Sequence, residues 1–69
     1  MNDIREKIRI ARVTKGYSQN YMAVQLNISQ RAYCKIECGK TKLSLRRFLV
    51  IVHILEIDGG VLVNDFALA

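Results

Sequence analysis

The sequence predicts an all-α fold, a compact bundle of five short helices. Three observations carry that expectation. The chain has no proline, and its four glycines, Gly16, Gly39, Gly59 and Gly60, divide its 69 residues into helix-length pieces. Asp3, Ser18, Ser29 and Ser44 each stand directly before an apolar-periodic stretch, where a helix N-cap belongs. Between these signals, apolar residues recur at helical rather than strand spacing.

Each element follows in order. Asp3 with Glu6 makes a capping-box pattern for a first helix, whose inner stripe is Ile4, Ile8 and Ala11 and which ends at Gly16. Ser18 opens a second helix with Met22, Ala23 and Leu26 facing inward. Ser29 opens a third with Tyr33 and Ile36 inward, stopped by Gly39. Ser44 opens a fourth, running to about Glu56, with Leu45, Phe48, Leu49, Val52 and Leu55 on the predicted core side. Val50, Ile51 and Ile54 fall outside that row, so a second face is expected to be buried or to meet another subunit. A short fifth helix is predicted over Val61 to Phe66, contributing Leu62 and Phe66 to the packing.

Sixty-nine residues allow one domain, residues 1–69, and a single core of that size is marginal without efficient packing or a partner. Cys34 and Cys38 offer little stapling. Adjacent helical turns aim two thiols poorly for a disulfide, and a lone C-x-x-x-C lacks the second ligand pair that zinc wants. No metal centre and no cofactor are expected. The N-terminal stretch alternates charged and apolar residues, unlike a secretory signal, and the apolar run Phe48 to Val52 is too short to span a bilayer. These features predict a soluble, cytoplasmic protein without membrane contact.

Charge divides the chain. All eleven Lys and Arg residues lie between Arg5 and Arg47, against Asp3, Glu6 and Glu37 alone, so residues 1–47 carry a net +8. Residues 48–69 hold only Glu56, Asp58 and Asp65, a net −3. The first part suits contact with a polyanion, the second core and possible dimerisation.

The twenty residues from Gln19 to Cys38 fit a helix-turn-helix position by position. Ala23 supplies the small residue where two steeply crossing helices approach. Asn27 stands where the turn needs a left-handed backbone, which asparagine tolerates next best after glycine. Met22, Leu26, Ile28, Tyr33 and Ile36 fill the positions that weld the unit to a core.

Gly16-Tyr17-Ser18-Gln19, Met22-Ala23, Leu26, Ile28-Ser29-Gln30 and Ile36-Glu37-Cys38-Gly39-Lys40 together resemble the lambda-repressor/Cro-type (XRE-like) helix-turn-helix family, over about residues 8–57. The resemblance implies a five-helix DNA-binding domain, usually dimeric, that regulates transcription. Two departures stand out: Asn27 replaces the usual turn glycine, and the linker Thr41-Lys42-Leu43 lacks the proline common before helix four.

Carried across by position, the resemblance assigns base readout to Gln30, Arg31, Lys35 and Cys34. Glutamine can pair bidentately with adenine, Arg and Lys with guanine, and a cysteine can touch a thymine methyl. Phosphate contacts fall to Gln19, Asn20, Lys40, Thr41, Lys42, Arg46 and Arg47. A matching pair in the family implies a structural salt bridge between Arg12 and Glu37. Tyr33 and Tyr21 are expected to pack in the core and on the surface respectively, and Tyr17 near the exit of helix one.

The function expected from these residues is sequence-specific recognition of double-stranded DNA as a homodimer, on a pseudo-palindromic operator, by a transcriptional regulator and specifically a repressor. The alternative is an antitoxin or other protein-interaction module that grips a partner such as a toxin through an apolar C-terminal face, with or without DNA binding. Val50, Ile54, Val61, Leu62 and Phe66 are the residues predicted for either interface. No carboxylate pair, nucleophile–base set or phosphate-cradling glycine loop is present, and His53 stands in an apolar helix, so an enzyme is not expected.

Overall fold

A computed structural model describes residues 4–57. Among them are four helices: α1 (Ile4–Thr14), α2 (Gln19–Leu26), α3 (Gln30–Glu37) and α4 (Leu45–Leu55). The predicted fifth helix, Val61 to Phe66, and the Asp3 cap lie outside the described residues, which are all-α with four helices.

The serine signals act as caps. Ser18 Oγ accepts from Tyr21 N at 2.9 Å, Ser29 Oγ from Ala32 N at 3.0 Å, and Ser44 Oγ from Arg47 N at 3.2 Å. Each satisfies one of the orphan amides of a first turn.

The four helices also end alike. In each, a residue with positive φ follows the last turn: Gly16 (76°), Asn27 (58°), Gly39 (83°) and Glu56 (55°). Paired backbone bonds close each end, such as Tyr17 N to Arg12 O at 3.0 Å with Gly16 N to Val13 O at 2.9 Å, and Ile28 N to Ala23 O at 2.9 Å with Asn27 N to Val24 O at 3.1 Å. This is the Schellman pattern. Asn27 therefore makes the turn expected of a glycine. Glu56 makes one too, at a position where its Cβ carries a conformational cost.

The core gathers residues from every helix. Ile4, Ile8, Met22, Ala23, Tyr33, Ile36, Phe48, Ile51 and Leu55 are all at most 3% exposed. Ala11, Leu26, Ile28 and Ile54 pack partly buried around them. Ala23, as its spacing requires, is enclosed, and α2 packs closely on α3.

Helix α4 corrects one expectation. Ile51 is fully buried, whereas Leu45 and Leu49 are 50% and 47% exposed. The core row is Phe48, Ile51, Val52 and Leu55, rotated from the predicted row toward Ile51. An almost uniformly apolar helix has several possible inner stripes; contacts with α1 and α2 select this one.

Candidate nucleic-acid interface

Helix α3 is amphipathic. Tyr33, Ile36 and Glu37 turn inward, which leaves Gln30, Arg31, Cys34 and Lys35 exposed. These four, with Gln19 of α2 and Lys40 beyond α3, line one open groove of about 560 Å³. The residues predicted for base readout therefore share one surface with two of those predicted for phosphate.

Thr41, Lys42 and Arg47 border an adjoining concavity of about 360 Å³, whose wall includes Arg31 and Lys35. Arg46 lines a third concavity with Gln25, Asn27 and Val50, which shares Ser44 and Arg47 with the second. Asn20 is exposed in the first turn of α2. The phosphate candidates other than Asn20 are thus spread over three adjoining concavities. Of the interface candidates, Val50 is exposed and Ile54 packs against the core, while Val61, Leu62 and Phe66 lie outside the described residues.

Electrostatics concentrates the positive charge on this side. Arg9 pairs with Glu6, Arg12 with Glu37 and Lys15 with Glu56, which engages the three carboxylates among the described residues. Arg5 donates to two backbone carbonyls, those of Ile36 and, at 2.9 Å, Thr41. By contrast Arg31, Lys35, Lys40, Lys42, Arg46 and Arg47 make no ion pair with any described residue. Among the described residues, α1 and its exit consume the negative charge. The cations from residue 31 onward keep theirs available to an external anion.

Beneath the groove sits a buried carboxylate. Glu37 is 9% exposed, and Arg12 grips it through Nε to Oε2 at 2.8 Å and Nη2 to Oε1 at 3.0 Å. Tyr33 Oη donates to Oε2 at 2.6 Å, and Gln19 Nε2 to Oε1 at 3.3 Å. Arg12 Nη1 also donates to the carbonyl of Tyr17 at 2.9 Å. Burial pushes the Glu37 carboxyl up, but the hydrogen bonds from Arg12, Tyr33 and Gln19 outweigh it and hold the group below its ordinary value. Burial, then the hydrogen bond to Glu37, raises the Tyr33 phenol well above its usual range. The network ties α1, α2 and α3 together, and fixes Gln19 at the edge of the groove from below.

Two of these roles lay beyond the sequence reading. Arg5 touches residues 31 and 36 positions away, and no local pattern announces that. The Tyr33–Glu37 bond is an i, i+4 pair on one helix, a spacing that could have disclosed it. Tyr17 and Tyr21 pack ring against ring, their centroids 4.4 Å apart.

A short α2, a left-handed turn at Asn27 and an exposed α3 laid over a buried Arg–Glu pair constitute a helix-turn-helix. The chain belongs to the XRE-type helix-turn-helix family, whose model matches residues 8–62. It is similar to the SPbeta prophage-derived uncharacterized HTH-type transcriptional regulator YonR of Bacillus subtilis (strain 168), with 36% identity over 53 residues. That match covers 77% of this chain and 49% of the relative, so the chain spans about half the relative's length. No solved structure matches the chain significantly. No helix among the described residues is long and apolar enough to cross a membrane.

Proposed function

We propose that this chain is a DNA-binding transcriptional regulator, acting as a repressor, that inserts α3 into the major groove of a pseudo-palindromic operator as a homodimer. The observation that carries the reading is the shared groove. Gln30, Arg31 and Lys35, whose donors suit base edges, stand beside Lys40 on a surface whose cations have no carboxylate partners among the described residues. Family membership and the similarity to a relative named as a transcriptional regulator support it.

The dimer would form through the outer face of α4, where Leu45, Leu49 and Val50 are 42–50% exposed. Pairing two such faces would remove these apolar side chains from water. The same face supports a second reading, in which a different protein such as a toxin occupies it. Co-purification of a second chain at fixed stoichiometry favours that reading over the homodimer.

Selection from a random duplex pool, followed by salt titration of the winners, tests the main reading. The expected product is a two-fold-related sequence with half-sites about one helical turn apart, bound more weakly as salt rises. Equal affinity for the selected and scrambled duplexes would overturn it.

A further inference from the structure

Cys34 and Cys38 stand at i and i+4 on and just beyond α3, one helical turn apart on the same side. Both thiols are free and exposed, and both side chains line the groove that holds Gln30, Arg31 and Lys35. Cys38 Sγ donates to the carbonyl of Lys35 at 3.8 Å, which turns its side chain back over the preceding turn, the one that carries Cys34.

The spacing discriminates between two fates of a dithiol. Helix neighbours at i, i+4 hold their Cβ atoms about 5–6 Å apart, whereas a disulfide wants about 3.8 Å. Direct closure would therefore distort the helix. A bridging metal relaxes that demand, because it replaces one sulfur–sulfur bond of about 2.0 Å with two metal–sulfur bonds, each of which is longer (about 2.3 Å for zinc).

We propose that Cys34 and Cys38 form a two-coordinate chelate site for one Cu(I) ion on the exposed face of α3. Soft thiolates select Cu(I), which accepts two ligands. Zinc wants four, and no cluster of three or more His, Cys, Asp or Glu side chains suited to a metal exists among the described residues. Binding forms two copper–sulfur bonds and releases both thiol protons to solvent, with no electron transferred. The neutral pair becomes a bis-thiolate unit of net charge −1. Arg31, Lys35 and Lys40 line the same groove, so the net negative charge of the copper-loaded unit would sit among cations. The consequence, which rests on the DNA-binding reading above, is mutual exclusion: a negative copper unit occupies the surface that would face the duplex.

The test titrates the full chain anaerobically with Cu(I) buffered by a competing chelator, read by native mass spectrometry and the near-ultraviolet thiolate-to-copper absorption. The expected result is one Cu(I) per chain, with affinity at least about tenfold weaker in Cys34→Ser and in Cys38→Ser. Circular dichroism verifies that both variants keep their helices. Undiminished affinity in either variant, one ion shared by two chains, or zinc retained as tightly as copper would each overturn the chelate. In a second arm, copper loading should weaken binding to the selected duplex at least about tenfold in the wild-type chain. The ratio of loaded to unloaded affinity should stay near one in the double serine variant. Copper bound without that loss overturns the exclusion alone. If no duplex is ever selected, the DNA reading fails, while the copper titration still decides the site.

Discussion

Arg12 Nε and Nη2 meet the two carboxylate oxygens of Glu37 at 2.8 and 3.0 Å, a side-on pairing made where the side chains are 12% and 3% exposed. The pair joins the last turn of α1 to the last residue of α3 across 25 positions of sequence. Its importance lies in what either partner becomes alone. Burying both charges is costly, and the pairing offsets that cost; removing one leaves the other stranded. Arg12→Ala or Glu37→Ala should therefore cost about 3 kcal/mol, measured by urea denaturation. A loss within about 0.5 kcal/mol would mean that water already solvates the site.

Acid should expose the same network. The Glu37 carboxyl is held low in the folded chain, so its contribution is present above the unfolded value of about 4.3 and is lost as pH falls below it. Tyr33 works in the opposite sense. Its folded-state value is raised, so its contribution is complete below about pH 10 and declines above it. Thermal melting across pH should show a plateau between these limits. Glu37→Gln should flatten the acid limb, and Tyr33→Phe the alkaline limb. Limbs unchanged by both variants would place the titrating groups elsewhere.

Arg5 closes the far end of α3. Its guanidinium donates to the Ile36 and Thr41 carbonyls, and its aliphatic stem lies within van der Waals reach of a Cβ built at Gly39, the nearest approach being 3.5 Å. A cation at a helix C-terminus also complements the helix dipole. Arg5→Ala should cost about 1 kcal/mol and accelerate amide exchange through residues 39–42. Arg5→Lys should recover only part, since a single ammonium lacks the planar fork that serves two separate acceptors. Full recovery by lysine would show that charge alone suffices.

The two left-handed positions without glycine differ in their expected response. Asn27 tolerates its φ of 58° through a short polar side chain, so Asn27→Gly should change stability little and Asn27→Ala should cost about 1 kcal/mol. Glu56 has no such tolerance, and its ion pair with Lys15 is exposed. Glu56→Gly should raise the melting temperature despite losing that pair. A lower melting temperature would mean that the Lys15 tether of α1 to α4 outweighs the backbone strain.

On DNA, the groove residues should separate by role. Gln30→Ala should lose discrimination at one or two base pairs, about 1–3 kcal/mol each. Lys40→Ala should weaken every duplex alike and reduce the salt dependence by about one ion. Fluorescence anisotropy on the selected duplex and its single-base variants distinguishes the two. A uniform loss for Gln30→Ala would reassign it to backbone contact.

Much of this architecture was legible along the chain because its causes are local. A serine that caps a helix does so within three residues, and Ser18, Ser29 and Ser44 do. A turn that needs positive φ shows itself as Gly16, Asn27 or Gly39. Helical spacing placed Met22, Tyr33 and Ile36 inside and left Gln30, Arg31 and Lys35 outside. The exposed face of α3 is the complement of a buried stripe, so its exposure too was predictable.

Other features depend on which surfaces come together. Helix α4 is apolar nearly all round, so periodicity could not separate Ile51, which is enclosed, from Leu49, which is not; packing against α1 and α2 made that choice. The partners of Arg5 and Lys15 lie 31 to 41 residues away. Which cations are neutralised and which stay available is likewise a matter of distance in space. Local backbone chemistry drew the helices and their ends from the sequence. The enclosure of α4 and the separation of committed from uncommitted charge arise only when four helices share one core, because burial and Coulomb attraction depend on neighbours that the linear chain does not order.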